Sequence, residues 1–325
     1  MTYLENSKQY TGTDLENIFF RPMLTGPSAQ ELGVRVLYNM PQPTHIQLWD
    51  GQRNILQKFT SAGWTGGAPA TKQEKTINLS RVKAELGFSA ADYFSMVYEK
   101  ITALADVNMD DLSGTDLEQA ETALFRQALA ENIRATMWIG DTAAASGYNT
   151  FDGFLKQIKA QVDDEVIYNF VFQEAALSDP GYIVEMFDKL WDKSDARIQD
   201  LKADGQLAFF VTSDLCHLYE KYLDSKGADA AYTDTVNGRR TLAYHGIPVI
   251  DLRLGGYLSE TSYHKTFAMI TDRRNLVLAV NTADMPGNEV RMWYNPDEME
   301  NRQRAVFMAG SQILDTDLIT YAYKQ

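Results

Sequence analysis

The chain has 325 residues, 45% of them hydrophobic and 23% charged, which is enough for one large or two ordinary globular domains. Thirty lysines and arginines against 44 aspartates and glutamates give a net charge of -14, which disfavours binding to the phosphate backbone of DNA or RNA. The single cysteine, Cys216, excludes an intrachain disulfide, and no apolar run is long enough for a membrane helix.

Residues 1–44 are polar and irregular apart from a short strand pattern at 34–38, which predicts an extended arm without its own core. The first residues have neither the basic start nor the apolar stretch of a signal peptide, so we expect synthesis in the cytoplasm. Residues 45–80 are β-rich, with strand patterns at 45–49, 55–59 and 75–79 around a glycine-rich loop at 61–69. We interpret this unit as a projecting hairpin.

From residue 89 to residue 140 the pattern is helical. Thr115 and Glu118 form a capping box, and Gly140 stands where a glycine usually ends a helix. Residues 116–139 contain no proline or glycine and carry an apolar stripe, which predicts a helix of about 36 Å. A helix of this length is typical of a spine across which other elements lie.

The second half of the chain mixes helices and strands. A small-residue linker at 141–147 precedes a helix that starts near Asp179, a buried strand at 207–212, and a helix capped by Ser213 and Asp214 that stops at Gly227. Asn237 and Gly238 predict a hairpin turn before a strand at 247–250. Further strands are predicted at 266–271, 275–280, 290–294, 304–308 and 318–323. The whole pattern indicates an α+β fold.

No catalytic motif was found. The chain lacks a phosphate-binding loop, a dinucleotide-binding turn and a nucleophile elbow, and its four histidines are scattered. Cys216 lies in an amphipathic helix pattern and is interpreted as a structural residue. The acidic run at 163–165 is interpreted as a solvated turn, with an acidic α/β hydrolase as the alternative. We predict no catalytic residue, no metal and no cofactor.

The order of elements and several local strings resemble the Hong Kong 97-like capsid fold of tailed bacteriophages and prophages. The first string, residues 137–141 followed by 151–155, is similar to the family's transition from a helix through Gly-Asp and a short loop to Gly-Phe-Leu. The other strings are residues 209–214, 244–249 and 304–319. The resemblance covers nearly the whole chain. It implies an N-terminal arm at 1–44, an E-loop at 45–80, a peripheral domain at 81–140 and 272–315 with its spine helix at 116–139, and an axial domain at 141–271 and 316–325.

The resemblance also implies a function. The chain would be a major capsid protein, not an enzyme, and would assemble with itself into pentamers and hexamers of an icosahedral virion shell. That shell would enclose double-stranded DNA without binding it specifically, and it would have no membrane partner. Because the arm is too short for a scaffolding segment, either a separate scaffolding protein or a chain that already lacks this segment is implied. A portal is a further expected partner. An encapsulin-type compartment with the same fold is the alternative.

Eight residues are predicted to lie at subunit interfaces. Trp64 is a large aromatic residue in an exposed glycine-rich loop, and such a residue favours protein contact. The Asp272-Arg273-Arg274 cluster is expected to form a turn or an intersubunit salt bridge. Some relatives join subunits by a bond between lysine and asparagine, for which Lys72 or Lys75 and Asn295 are crudely placed; most relatives form no such bond. The predicted contact residues are Trp64, Gly66, Lys72, Lys75, Arg273, Arg274, Arg291 and Asn295.

Overall fold

A computed structural model of the chain describes residues 8–10, 34–40, 44–49, 72–89, 116–227, 232–236, 239–281, 289–295, 297–298 and 300–324. Several predictions therefore lie outside the described residues: the strand at 55–59, the loop at 61–69, the capping threonine Thr115, the helical pattern before residue 116 and the turn Asn237-Gly238.

The described elements are fifteen strands and six α-helices. The strands are β1 (Lys8–Tyr10), β2 (Arg35–Tyr38), β3 (Thr44–Trp49), β4 (Lys72–Ile77), β5 (Ser80–Ser89), β6 (Tyr168–Phe172), β7 (Leu207–Val211), β8 (Tyr232–Val236), β9 (Arg239–Tyr244), β10 (Ile247–Asp251), β11 (Phe267–Asp272), β12 (Leu276–Asn281), β13 (Glu289–Asn295), β14 (Glu300–Ile313) and β15 (Ile319–Lys324). The helices are α1 (Asp116–Ile139), α2 (Phe154–Asp163), α3 (Tyr182–Asp192), α4 (Ala196–Leu201), α5 (Ser213–Lys226) and α6 (Gly255–Leu258). This is an α+β chain.

The first large sheet has six strands in the order β1-β13-β14-β12-β2, with β5 also paired to β14. Its strand β12 is buried at every position, as expected for a continuous apolar run in the middle of a sheet. The two N-terminal strands are added to this sheet: β1 pairs with β13, and β2 pairs in parallel with β12. The described parts of residues 1–44 thus lie on a sheet formed by later parts of the chain.

Strand β5 was not predicted from the sequence. Its inward-facing residues Val82, Ala84 and Leu86 alternate with charged residues, which is the period-two pattern of a half-buried strand. The strand β14 is also longer than predicted, because residues 300–309 pair with β5 along its length. The long helix α1 packs against the face that these two strands form.

Helix α1 spans Asp116–Ile139, the range predicted from the sequence. Phe125, Leu129 and Ile133 succeed one another at four-residue spacing and are buried against the six-stranded sheet, together with Val82 and Phe307. At the C-terminal end of the helix, Trp138 is fully buried and its ring meets Phe154 edge-on with the centroids 5.3 Å apart. The helix is therefore anchored along its described length and at its end.

The second large sheet has seven strands in the order β6-β15-β11-β7-β10-β9-β8. Its central strands β7 and β11 are buried at every position. One face continues the core of α1 and α2, and the other face is covered by α3, α4 and α5 around Phe187 and Phe209. The sheet is thus a buried middle layer between two sets of helices.

Helix α5 begins where the sequence predicted but is not capped as predicted. The Ser213 hydroxyl donates to Asp251 over 2.7 Å, and Asp214 accepts from Thr266 over 2.5 Å. Both side chains therefore connect the helix to the strands beside it instead of binding the first N–H groups. The C-terminal end does agree with the prediction, since Gly227 has a left-handed backbone with φ of 60°.

The strands β3 and β4 form a separate two-stranded antiparallel sheet, from Thr44 opposite Ile77 to Trp49 opposite Lys72. Ile77 and Leu79 are buried with Val277, Ala279 and Leu314 on the six-stranded sheet. The base of this hairpin is therefore fixed to the body of the protein by apolar contacts.

Candidate functional site

Four predicted contact residues belong to the segment 45–80. Trp64 and Gly66 lie outside the described residues. Lys72 starts β4 at the end of the hairpin remote from its buried base, and Lys75 is half-buried opposite Ile46. On the neighbouring strand the His45 ring lies 2.7 Å from the Glu74 carboxylate. The role of this hairpin in subunit contact stays a prediction.

Arg273 and Arg274 lie in a short 3-10 turn between β11 and β12, as the sequence predicted. The buried Asp272 accepts from the backbone N–H of Arg274 over 2.7 Å and from its guanidinium over 2.6 Å. Asp204 binds the same guanidinium over 3.1 Å, and these hydrogen bonds raise the pKa of Arg274. Burial lowers the pKa of Arg273. The charge of Arg274 is therefore already paired within its own chain.

Arg291 lies on β13 opposite Arg304 of β14. The Glu289 carboxylate accepts from both guanidiniums, over 2.9 Å from Arg291 and 3.0 Å from Arg304. The Arg304 guanidinium also lies over the Trp293 ring, 5.8 Å from its centroid. Both guanidiniums are partly exposed. This face of the six-stranded sheet is thus a set of paired charges and not a basic patch.

The described contact residues do not form one site. Asn295 ends β13, where its side-chain amide donates to Glu298 over 3.3 Å, and Arg291 is its neighbour on the same strand. Lys72 and Lys75 are on the separate hairpin, and the turn with Arg273 joins the two large sheets. These predicted contact residues lie on three separate surfaces and do not converge as the residues of an active site do.

The chain connections between the two large sheets fix how these sheets are placed relative to each other. In the described part of the chain, three connections pass between the two large sheets: α1 with α2, residues 273–275 and residues 314–318. We call these connections the junction. The junction therefore sets the orientation of the two large sheets relative to each other.

The first connection is built on two glycines. The backbone N–H of Gly153 donates to the Gly140 carbonyl over 2.8 Å. A Cβ on Gly140 would lie 2.2 Å from the Phe151 carbonyl oxygen, so no side chain fits there. The sequence prediction for Gly140 was therefore right about the helix end but wrong about the reason. The described positive-φ glycines do not include it, and it is required by close backbone approach.

Polar side chains close this connection. Lys156 Nζ lies 2.7 Å from carboxylate oxygens of both Asp141 and Asp152. Asp152 also accepts from the Thr142 N–H over 2.9 Å, and the Ser311 hydroxyl donates to the Asp152 carbonyl over 2.6 Å. The hydrogen bond to Lys156 lowers the pKa of Asp141. Burial opposes ionisation of Asp152, yet its hydrogen bonds keep its pKa below the ordinary value.

The second and third connections are joined by Asn275, which is buried. Its side-chain carbonyl accepts from the Asp315 N–H over 2.8 Å, and its amide donates to the Asp315 carbonyl over 2.8 Å. The backbone carbonyl of Asn275 accepts from the Leu314 N–H over 3.1 Å. One asparagine thus satisfies the backbone of the other connection as a neighbouring strand would.

Arg197 of α4, a helix that covers the seven-stranded sheet, forms ion pairs with the third connection. Its guanidinium lies 3.0 Å from Asp315 and 3.1 Å from Asp317, and its Nε lies 3.2 Å from Asp195. Burial opposes the charge of Arg197, but these carboxylates raise its pKa. The sequence analysis did not single out Arg197, Asn275 or Asp315. They are far apart in the chain, and no local spacing signals their contact.

The described residues offer no catalytic alternative. Cys216 is buried, which raises its pKa to about 12. Asp163 is largely exposed, pairs with Lys159 over 3.2 Å and lines no described cavity. A groove of about 520 Å³ between α1 and β5 is lined mainly by apolar residues such as Phe125, Leu129 and Phe307. Within the described part of the chain, no group of three His, Cys, Asp or Glu side chains is placed to hold a metal ion.

None of the described helices combines the length and the apolar character needed to cross a membrane.

Comparison with known proteins gives a clear result for the fold and none for the sequence. No family model matches the chain, and no curated protein matches it in sequence. A chain of the satellite phage P4 procapsid, in a structure that includes the size determination (Sid) protein, matches with TM-score 0.58 and 9% identity over 93% of this chain and 96% of that one. A chain from Gordonia phage Cozz matches with TM-score 0.53 and 11% identity over 92% and 86%.

A chain of the holo-SrpI encapsulin complex from Synechococcus elongatus also matches, with TM-score 0.46 and 10% identity over 96% of this chain and 90% of that one. This similarity is too weak to carry an argument. The phage matches show that the chain has the Hong Kong 97-like fold of tailed-phage capsid proteins, as the sequence predicted.

Proposed function

We propose that this chain is the major capsid protein of a tailed phage or prophage, and that it assembles into pentamers and hexamers of an icosahedral shell enclosing double-stranded DNA. The observation that carries the proposal is the fold match with the phage P4 procapsid chain over 93% of this chain. The match covers nearly the whole of both chains, so it concerns more than one motif.

The domain assignment belongs to the same proposal. Residues 1–44 are proposed as the N-terminal arm and 45–80 as the E-loop. The peripheral domain would comprise 81–140 and 272–315, and the axial domain 141–271 and 316–325. This division is supported by the sheets, since β15 pairs with β6 and β11 while β12 and β14 pair with each other. The predicted contact residues on the hairpin, the turn at 273–274 and β13 would then face different neighbours.

The net charge of the chain supports the proposal that the shell encloses DNA. The net charge of -14 makes the chain repel phosphate backbones, so packaged DNA would be enclosed without being held. On the described face of β13 and β14, Glu289 of the same chain pairs with Arg291 and Arg304 and offsets part of their charge. A virion location, a separate scaffolding protein and a portal complete the proposal.

Electron microscopy and sedimentation of the purified protein at high concentration test the proposal. Closed shells, or rings of five or six subunits, are the expected result. A protein that stays monomeric at every concentration, alone and after coexpression with the scaffolding protein encoded beside it, would contradict it.

The contents of the assembled particles distinguish a capsid from an encapsulin compartment. Particles isolated from the producing cells and treated with nuclease should retain double-stranded DNA if the chain encloses a phage genome. Particles that contain an enzyme and no protected DNA would instead support the encapsulin alternative.

A further inference from the structure

One histidine is packed against the last strand of the chain. His264 precedes β11, and its half-buried ring stacks on the Tyr323 ring of β15 with the centroids 3.8 Å apart. Its Nδ1 lies 3.2 Å from the Tyr321 hydroxyl. The other three histidines of the chain are exposed: His45, His217 and His245. Protonation of His264 therefore affects the interior of the seven-stranded sheet, which protonation of an exposed histidine does not.

The contact between His264 and Tyr321 requires a neutral imidazole. Tyr321 is buried, and in the described part of the chain its hydroxyl has no hydrogen bond other than the one to Nδ1. The hydroxyl therefore donates to an unprotonated Nδ1. A proton on Nδ1 would place one donor against another, and the Tyr321 O–H would have to turn into the core without an acceptor. A buried donor without a partner is costly, so protonation of His264 opposes this packing.

Charged groups near the ring act in the same direction. Among the described residues, titratable groups face His264 from α2 and from β15. Lys159 of α2 disfavours a second positive charge, and Asp163, which pairs with Lys159 over 3.2 Å, favours that charge less strongly. The two groups on β15 are the phenols of Tyr321 and Tyr323, which carry no charge at acidic or neutral pH. Burial and Lys159 lower the pKa of His264 below its ordinary value of 6.5.

The strand that His264 contacts holds the edge of the sheet. β15 lies between β6 and β11, and in the described part of the chain β6 pairs with β15 alone. The segment of His264 is bound to the same strand a second time, because the Lys324 N–H donates to the Thr266 carbonyl over 2.9 Å. Tyr323 is opposite Val171 of β6. Displacement of Tyr323 from His264 would therefore loosen β6 as well as β15.

We propose that His264 is a pH-sensitive switch on the C-terminal strand β15. As a neutral imidazole it binds Tyr321 and Tyr323 and fixes the end of β15. As an imidazolium it releases both rings, and the β6–β15 edge of the sheet opens locally. The inference goes beyond the proposed function and does not depend on assembly, because all the groups involved belong to one chain.

The direction of the pH dependence follows from linkage. The pKa of His264 is lower in the folded chain than its ordinary value of 6.5, so the unfolded chain binds the proton more readily. The contact therefore stabilises the fold fully above pH 6.5, and this contribution is lost as the pH falls from 6.5 through the lowered pKa. Mild acid is the condition under which the strand should open.

Amide hydrogen exchange of residues 319–324, compared at about pH 7.5 and about pH 5.5 after correction for intrinsic rates, tests the switch. His264→Gln keeps an uncharged acceptor for the Tyr321 hydroxyl at both pH values. His217→Gln is the matched control, since it removes an exposed histidine of α5. We expect the wild type and the control to exchange at least about threefold faster at the lower pH, and His264→Gln to show no change. An equal pH response in the wild type and His264→Gln would overturn the inference.

Tyr321→Phe tests the hydrogen bond itself and provides a second variant if His264→Gln does not fold. It removes the hydroxyl and keeps the ring in the core. The pKa of His264, measured by deuterium exchange at the imidazole C2 position, should lie below 6.5 in the wild type and rise toward 6.5 in Tyr321→Phe. The pH response of residues 319–324 should shrink in the same variant.

Two results would contradict the switch: a wild-type pKa of His264 at or above 6.5, or a full pH response of β15 in Tyr321→Phe. Neither measurement requires rings or shells. A protein that never assembles would therefore contradict the proposed function and leave this inference standing, whereas a β15 that does not respond to pH would do the reverse.

Discussion

Gly153 packs against Gly140 so closely that an added Cβ on Gly153 would lie 2.6 Å from the Gly140 backbone nitrogen. The same Cβ would lie 2.6 Å from the Trp138 carbonyl oxygen, and Trp138 is fully buried at the end of α1. Neither contact is with a flexible side chain, so the backbone itself would have to move. The backbone at Gly153 and Gly140 therefore approaches more closely than any side chain on Gly153 would allow.

Gly153→Ala should therefore destabilise the folded protein by about 3 kcal/mol, the upper end of the usual cost of overpacking. Gly255→Ala is the matched control, since a Cβ there meets nothing within 4 Å. Urea unfolding followed by circular dichroism measures both. Equal stability of the two variants would show that the junction relaxes without cost.

Asn275→Ala should destabilise the protein by about 2–3 kcal/mol, because the N–H and carbonyl of Asp315 would lose their buried partners. Asn149→Ala provides the control: its exposed amide donates to the Ala144 carbonyl over 3.2 Å, and it should cost less than about 0.5 kcal/mol. Denaturant unfolding of the two variants checks the difference. A small effect at Asn275 would mean that water replaces the amide.

Lys156→Met should cost about 1 kcal/mol near neutral pH, a modest value because the three side chains are 31% to 42% exposed and solvent screens them. The pKa values of Asp141 and Asp152 are lowered from 3.8, so their pairing stabilises the fold above that pH and is lost as the pH falls through the lowered values.

The stability difference between wild type and Lys156→Met should therefore shrink below about pH 3.8. Thermal unfolding across a pH series measures this difference. Lys159→Met, which breaks the exposed pair with Asp163, is the control. A difference that does not change with pH would show that Lys156 acts through the packing of its methylene groups.

Cys216 should resist alkylation in the folded protein at about pH 8, because burial raises its pKa to about 12 and keeps the thiol protonated. The same reagent should label the thiol fully in denaturant. Mass spectrometry of the two reactions measures the ratio. Rapid labelling of the native protein would mean that α5 opens readily.

Denaturing gels of assembled particles should show a monomer band, because most proteins with this fold do not join their subunits covalently. A ladder of higher bands would point to a bond between Lys72 or Lys75 and Asn295. Asn295→Ala, which should abolish that ladder, would then identify the acceptor.

Much of the fold follows from local pattern. The strands β7, β11 and β12 are continuous apolar runs, and α1 has an apolar stripe without helix breakers, so each was predictable. Strand β5 was missed, although Val82, Ala84 and Leu86 alternate with charged residues. Its alternation was outweighed by the helical pattern of the segment that follows.

The junction could not be predicted in the same way. Asn275 and Asp315 are forty residues apart, and their contact depends on how two sheets are placed in space. Only Lys156 carried a local signal, since it lies four residues after Asp152, which comes two residues before α2 begins. The resemblance to capsid proteins identified the fold, but the described contact residues were found on separate surfaces and not in one site.

The strand order has a consequence for synthesis. Strand β14 lies within the six-stranded sheet, and β15 is inserted between β6 and β11 in the seven-stranded sheet. A nascent chain must therefore release residues 300–324 from the ribosome before either sheet can close. Until that moment β6 and β11 lack the strand between them and β12 lacks β14, so the unpaired strands of the nascent chain would be prone to pair with other chains.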